Sequence, residues 1–181
     1  MILRFFRKDS SAEAVSALYA RATAAARAPG LYLALGLPDT LEGRFEALLL
    51  HVVLVLRALR RLPPPADDVA RDLTDAFFGD LDGALREMGV GDVAVPKRMT
   101  SLAAAFYGRA EAYDRALAAG DRAALAASLA RNALGREAPA FALARYVEEA
   151  DRAAAAQSLE DLFRDGPAFP PPDRFAAGDA P

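Results

Sequence analysis

Residues 40–61 read TLEGRFEALLLHVVLVLRALRR. From Ala47 to Leu56 the only interruption of the apolar run is His51. As a helix, the 22 residues would span roughly 33 Å, apolar on nearly every side through the middle. Such a helix is stable only when other helices surround it, so this stretch marks the centre of a helical bundle. These ten residues rise about 15 Å as a helix, roughly half a bilayer core. Arg44 and Glu46 close the run on one side, and Arg57, Arg60 and Arg61 on the other. The stretch therefore reads as a buried helix rather than a membrane span.

The rest of the chain supports the same class. Of 181 residues 44 are alanine, the best helix former, and no period-two alternation occurs. Ser10-x-x-Glu13 and Asp39-x-x-Glu42 have the spacing of capping boxes, opening helices over 11–27 and 40–61. Ala28-Pro29-Gly30 stops the first, and Pro63-Pro64-Pro65 the second. Helices are then expected from Asp67 or Asp68 to Phe78, from Asp80 to Met88, from Pro96 to Ala119, from Asp121 to Leu134, and from about Ala138 to Phe163. In the Pro96 helix, Met99, Leu102, Phe106, Ala110, Tyr113 and Leu117 recur at three and four residues, a stripe expected to be buried. Ala104, Gly108 and Ala112 form a small-residue line expected to admit a neighbouring helix. The fold class is all-α: a single-domain bundle of about seven helices around a central apolar helix. Residues 1–10 are expected to be a flexible N-terminus and 11–165 the helical domain. Residues 166–181 carry five of the 12 prolines and read as a disordered tail.

Several chemistries are excluded. Without cysteine there is no disulfide, thiolate nucleophile or Cys-ligated zinc, and one histidine builds no multi-histidine metal site. A net charge of −3 argues against duplex DNA as a partner. The start, MILRFFRKDS, lacks the apolar stretch and cleavage site of a signal peptide. Residues 2–7 read as a frayed terminus rather than a membrane contact. Asp80, Asp82 and Asp92 fail the calcium-loop pattern, because Ala84, Leu85 and Gly91 stand where an oxygen ligand, Gly and Glu are needed. Asp80 reads instead as a helix cap, and Gly89 as a left-handed helix end. His51, among Leu and Val, reads as a core residue with satisfied nitrogens. An acid from elsewhere in the fold would be needed to make it catalytic. Arg98 and Arg109, about three turns apart, share a helix face near Lys97 and Arg86. Two readings stand for these charges: a basic surface for an acidic partner or RNA phosphate, or solvated charges paired with Glu87, Asp92 and Glu111.

Strings of residues carry more. Leu37-Pro38-Asp39-Thr40 precedes Leu41-Glu42-Gly43-Arg44-Phe45-Glu46 and Leu49-Leu50-His51-Val52. Leu85-Arg86-Glu87-Met88-Gly89-Val90-Gly91-Asp92, Val95-Pro96-Lys97-Arg98-Met99, Ala105-Phe106-Tyr107-Gly108-Arg109-Ala110 and Tyr113-Asp114 follow. Leu129-Ala130-Arg131-Asn132 and Tyr146-Val147 come last. In order and spacing, from Leu31 to Val147, these resemble the ubiquinol–cytochrome c chaperone family in its bacterial form.

The resemblance implies an assembly chaperone for ubiquinol–cytochrome c reductase (respiratory complex III) that binds newly made cytochrome b and is not an enzyme. Mitochondrial members act near the ribosome exit in yeast and with a small partner protein. The expected partners are therefore nascent or newly inserted cytochrome b, the ribosome, a small partner protein and a membrane-embedded client, with no DNA. No cofactor is implied. Mitochondrial relatives carry an amino-terminal targeting region that this chain lacks, which places it in the cytoplasm, peripheral at the inner face of the membrane. Client contact is expected along Asp39–Arg44 and Asp80–Arg109, at Asp39, Arg44, Arg86, Glu87, Asp92, Lys97, Arg98, Tyr107, Arg109 and Tyr113. Reversing Arg98 and Arg109 together is expected to weaken capture with helicity kept. Two alternatives remain: a ribosome- or RNA-contacting adaptor, and a helical enzyme using His51.

Overall fold

A computed structural model describes the backbone of residues 2–176 and the side chains of 12–176. The side chains of residues 2–7 and the tail beyond Ala176 lie outside the described residues. Among those described, the elements are α1 (Ile2–Ala26), α2 (Pro29–Leu33), α3 (Leu41–Leu59), α4 (Ala66–Glu87), α5 (Val95–Ala119), α6 (Arg122–Ala133), α7 (Phe141–Ala155), α8 (Leu159–Arg164) and a 3-10 turn at Pro172–Phe175. No strand occurs among them.

α3 is the axis, touching α1, α4, α5, α6 and α7. Apart from the part-buried Leu48, every residue from Glu46 to Leu59 is buried. Each fully buried Val or Leu contributes roughly 1.5–3 kcal/mol relative to exposure, so this one helix supplies much of the core's hydrophobic drive. It is shorter than α1, α4 and α5. Thr40, not Asp39, is its N-cap, the hydroxyl accepting from the Gly43 amide at 3.1 Å. Asp39 instead pairs with Arg44 at 2.7 Å.

Gly43 explains part of the LPDT string. The chain from Leu37 to Pro38 crosses so close to α3 that a Cβ at position 43 would lie 1.9 Å from the Pro38 carbonyl oxygen. Backbone cannot swing aside as a side chain does. Gly43→Ala is expected to cost about 1–3 kcal/mol, lowering Tm by several degrees. An unchanged Tm by calorimetry would show that the crossing is loose.

The structure corrects several boundaries. α4 runs unbroken through Gly79, where two helices were expected. Leu73, Phe77, Leu81 and Leu85 recur every four residues on one packed face. That packing outweighs the roughly 1 kcal/mol cost of an internal glycine. Asp80 is therefore no cap; it accepts a hydrogen bond from Tyr19 of α1 at 2.8 Å. The expected last helix is two, because Ser158 and Asp161 form a capping box that opens α8. α1 is helical from Ile2, so the start read at Ser10 falls inside it. The Ala104–Gly108 line faces outward, with nothing within 4 Å of a Cβ at Gly108, so it admits no neighbouring helix.

The tail also differs from expectation up to Ala176. Gln157 accepts from the Ala168 amide and donates to the Gly166 carbonyl, both at 2.8 Å. Phe169 then lies edge-on to His51, ring centres 4.8 Å apart, and Phe175 edge-on to Tyr146. The prolines stiffen a strap whose two Phe side chains repay its ordering.

Candidate functional site

α4 ends at Gly89 in the left-handed conformation, φ 79°, as the sequence reading expects. The chain turns and re-enters at Val95 as α5. Phe106, Ala110 and Tyr113 reach the core, but Met99 and Leu102 on the same stripe are only half-covered. α4 and α5 pack against each other on either side of this turn. Their apolar faces, with the first turn of α3, wall an open groove.

The narrower part of the groove, about 270 Å³, is lined mainly by Leu41, Phe45, Leu81, Leu85, Met88 and Leu102, with Glu42 at its α3 edge. It runs over Leu85 and Leu102 into a wider cleft of about 530 Å³, lined also by Ala94, Lys97, Arg98 and Ser101. Leu41, Met88, Val93 and Tyr107 stand exposed, Val93 at 96%. Phe77 and Phe106 pack with ring centres 5.0 Å apart, with Phe45 and Phe78 against them, so the floor is a cluster of aromatic rings.

Glu46 also borders the narrower part, but it is buried and gripped by Arg109 through two contacts of 2.7 Å, Nε to Oε2 and a terminal nitrogen to Oε1. Burial lifts the Glu46 carboxyl above its ordinary range, and the Arg109 guanidinium works against that rise. This pair ties α3 to α5.

The expected contact residues separate into groups. Lys97, Arg98 and Tyr107 are exposed, as is Glu87, and the first two line the wide cleft. Arg86 is held by Asp82 at 2.7 Å and also by Asp92. Asp39 and Arg44 border a different cleft of about 470 Å³ with Arg27, Tyr32 and Leu33. Two assignments are corrected. Tyr113, 1% exposed, touches no client from that position; burial pushes its phenol up. Arg109 turns inward to Glu46, so Arg98 and Arg109 do not form one basic wall. Reversing Arg109 would set two carboxylates together in the interior rather than leave the fold intact. The apolar lining itself, Leu81, Leu85 and Leu102 above all, is what the sequence reading missed: its periodicity looked like ordinary core.

His51 is wholly buried. A backbone carbonyl can only accept, so Nδ1 donates to the Ala47 oxygen at 2.7 Å, leaving Nε2 to accept from the Tyr146 hydroxyl at 2.7 Å. Desolvation lowers its pKa to about 4. Both nitrogens are committed to structure, which removes the residue the enzymatic alternative depended on. Among the described residues, no His, Asp and Glu cluster suits a metal ion, and no helix is long and apolar enough to cross a membrane.

A protein-family model described as "Ubiquinol-cytochrome C chaperone" matches residues 33–169. No curated protein matches significantly. Among solved structures, the crystal structure of the Cbp3 homolog from Brucella abortus is 40% identical. That match covers 96% of this chain and 99% of that one, with a TM-score of 0.82.

Proposed function

The chain belongs to the ubiquinol–cytochrome c chaperone family, and on that premise we propose that it holds newly made cytochrome b in the α3–α4–α5 groove during assembly of complex III. Family membership implies the complex III role and points to a non-enzymatic protein. The cytochrome b client and the groove as its seat are our reading. The observation that carries it is the apolar recess lined by half-covered Leu81 and Leu102 and exposed Leu41 and Met88, with buried Leu85 and the Phe77–Phe106 pair behind them.

Cytochrome b is mostly apolar membrane helix, which aggregates when exposed to water. A groove that takes one face of such a helix shields it without enclosing it. Burying a few hundred Å² at roughly 25 cal/mol per Å² yields several kcal/mol before the costs of association. The result is moderate binding that releases when the client finds its place in the bilayer.

A photo-crosslinking amino acid at Leu102 should capture cytochrome b in growing cells. The same group at the exposed Ala123, past the opposite end of α5, should not. Equal labelling from both sites, or none from Leu102, would overturn the groove as the seat. Leu102→Asp should lower the cytochrome b signal of membranes while other oxidases keep theirs.

A further inference from the structure

Lys97 and Arg98 stand where helix electrostatics disfavour them. They occupy the start of α5, whose first turn contains no acid. A cation near a helix N-terminus is disfavoured by the macrodipole. Neighbouring arginines are neutralised: Arg44 by Asp39, Arg86 by Asp82 and Asp92, Arg109 by Glu46. Lys97 and Arg98 have no acidic partner among the described residues, and both line the wide cleft above Leu85 and Leu102. Two cations held against the helix dipole beside an apolar recess suit a partner that is apolar along its length and anionic at one end.

We propose that the groove reads an apolar segment carrying a carboxylate at one end. The carboxylate meets Lys97 and Arg98, and the apolar remainder lies over Leu85, Leu102 and Phe45. This rests on the groove being the client seat and adds what it selects. Glu42 at the α3 edge repels an acidic end laid the other way, so the groove also fixes direction. A bilayer surface suits the site less well. The lining is recessed, and Glu42 at its edge would meet anionic headgroups.

The test uses the full chain and short fluorescent Leu/Ala-rich helical peptides ending in Asp-Asp, Lys-Lys or Ser-Ser. Wild type should bind the Asp-Asp peptide about tenfold more tightly than the Lys-Lys peptide by fluorescence anisotropy. The K97E/R98E variant should lose or invert that preference with its circular dichroism unchanged. Leu102→Asp should weaken binding of every peptide. If wild type binds all three equally and Leu102→Asp abolishes binding, the charge reading falls and the groove stands. If no peptide binds, both fall. If the preference is absent but anionic phosphatidylglycerol vesicles are retained through Lys97 and Arg98, the cations serve lipid and the proposal is overturned.

Discussion

Arg109→Ala is expected to destabilise the folded protein by about 3–5 kcal/mol, the range for removing one partner of a buried ion pair. Glu46 is only 7% exposed and would be left without its guanidinium. Burial already holds its carboxyl above the usual range, and Arg109 is the group resisting that rise. Without Arg109 the folded-state pKa climbs further above the unfolded one. The folded form then binds the extra proton, so the variant's deficit should shrink as pH falls and be largest at pH 8. Urea unfolding at pH 8 and pH 5 measures both statements. A deficit under about 1 kcal/mol, independent of pH, would place Arg109 among ordinary surface charges. The swapped pair Glu46→Arg with Arg109→Glu should recover part of the loss, because neighbouring partners are not additive. A residue that merely touches client would show none of this.

The same pair separates stability from capture. Arg109 braces the wall of the groove and Lys97 and Arg98 stand on its rim, although all three are cations on one helix. Loss of client binding in an Arg109 variant would therefore follow from loosening of α5. Loss in K97E/R98E, with Tm unchanged, would report contact. Experiments on this surface are readable only when the two kinds of variant are kept apart.

The central helix was plain in the sequence because its run from Ala47 to Leu56 is apolar on every side and needs a shell of other helices. So was the role of His51, since a lone imidazole among aliphatic side chains needs two satisfied nitrogens and found Ala47 and Tyr146. What local sequence hides is which apolar faces go uncovered. Leu102 and Phe106 obey one periodicity, yet Phe106 is buried and Leu102 is left half-covered at the groove. Charges hide their partners in the same way. Glu46 lies 63 residues from Arg109, so nothing local told Arg109 apart from Arg98. At Gly79 a strong local break signal lost to the packing of Phe77 and Leu81. The prolines of the tail pointed to disorder, but Phe169 and Phe175 found aromatic partners across the chain.

His51 should make the protein acid-sensitive well above the pH at which its carboxylates titrate. Its folded pKa is about 4, against about 6.5 for an unfolded histidine. Above pH 6.5 the ring is neutral in both states and contributes no pH dependence. As pH falls below that, the unfolded chain takes up a proton that the folded one refuses. Stability is therefore lost by about 2 kcal/mol at pH 5 and about 3 kcal/mol near pH 4. Protonation would also force Nε2 to donate where the Tyr146 hydroxyl now donates to it, and among the described residues no carboxylate pairs with the ring to offset the charge. Other groups titrate nearby: Glu46 shifts the opposite way, and Asp151, held low by Arg57 and Arg61, weakens the fold only at lower pH. Those groups are common to wild type and His51→Gln, so the difference between the two proteins isolates the imidazole. Urea midpoints for His51→Gln should change less between pH 7 and pH 5 than those of wild type, whatever the variant costs at neutral pH. Parallel lines for the two proteins would mean that the ring takes up its proton in the folded state, and that the Tyr146–His51–Ala47 relay is open to water.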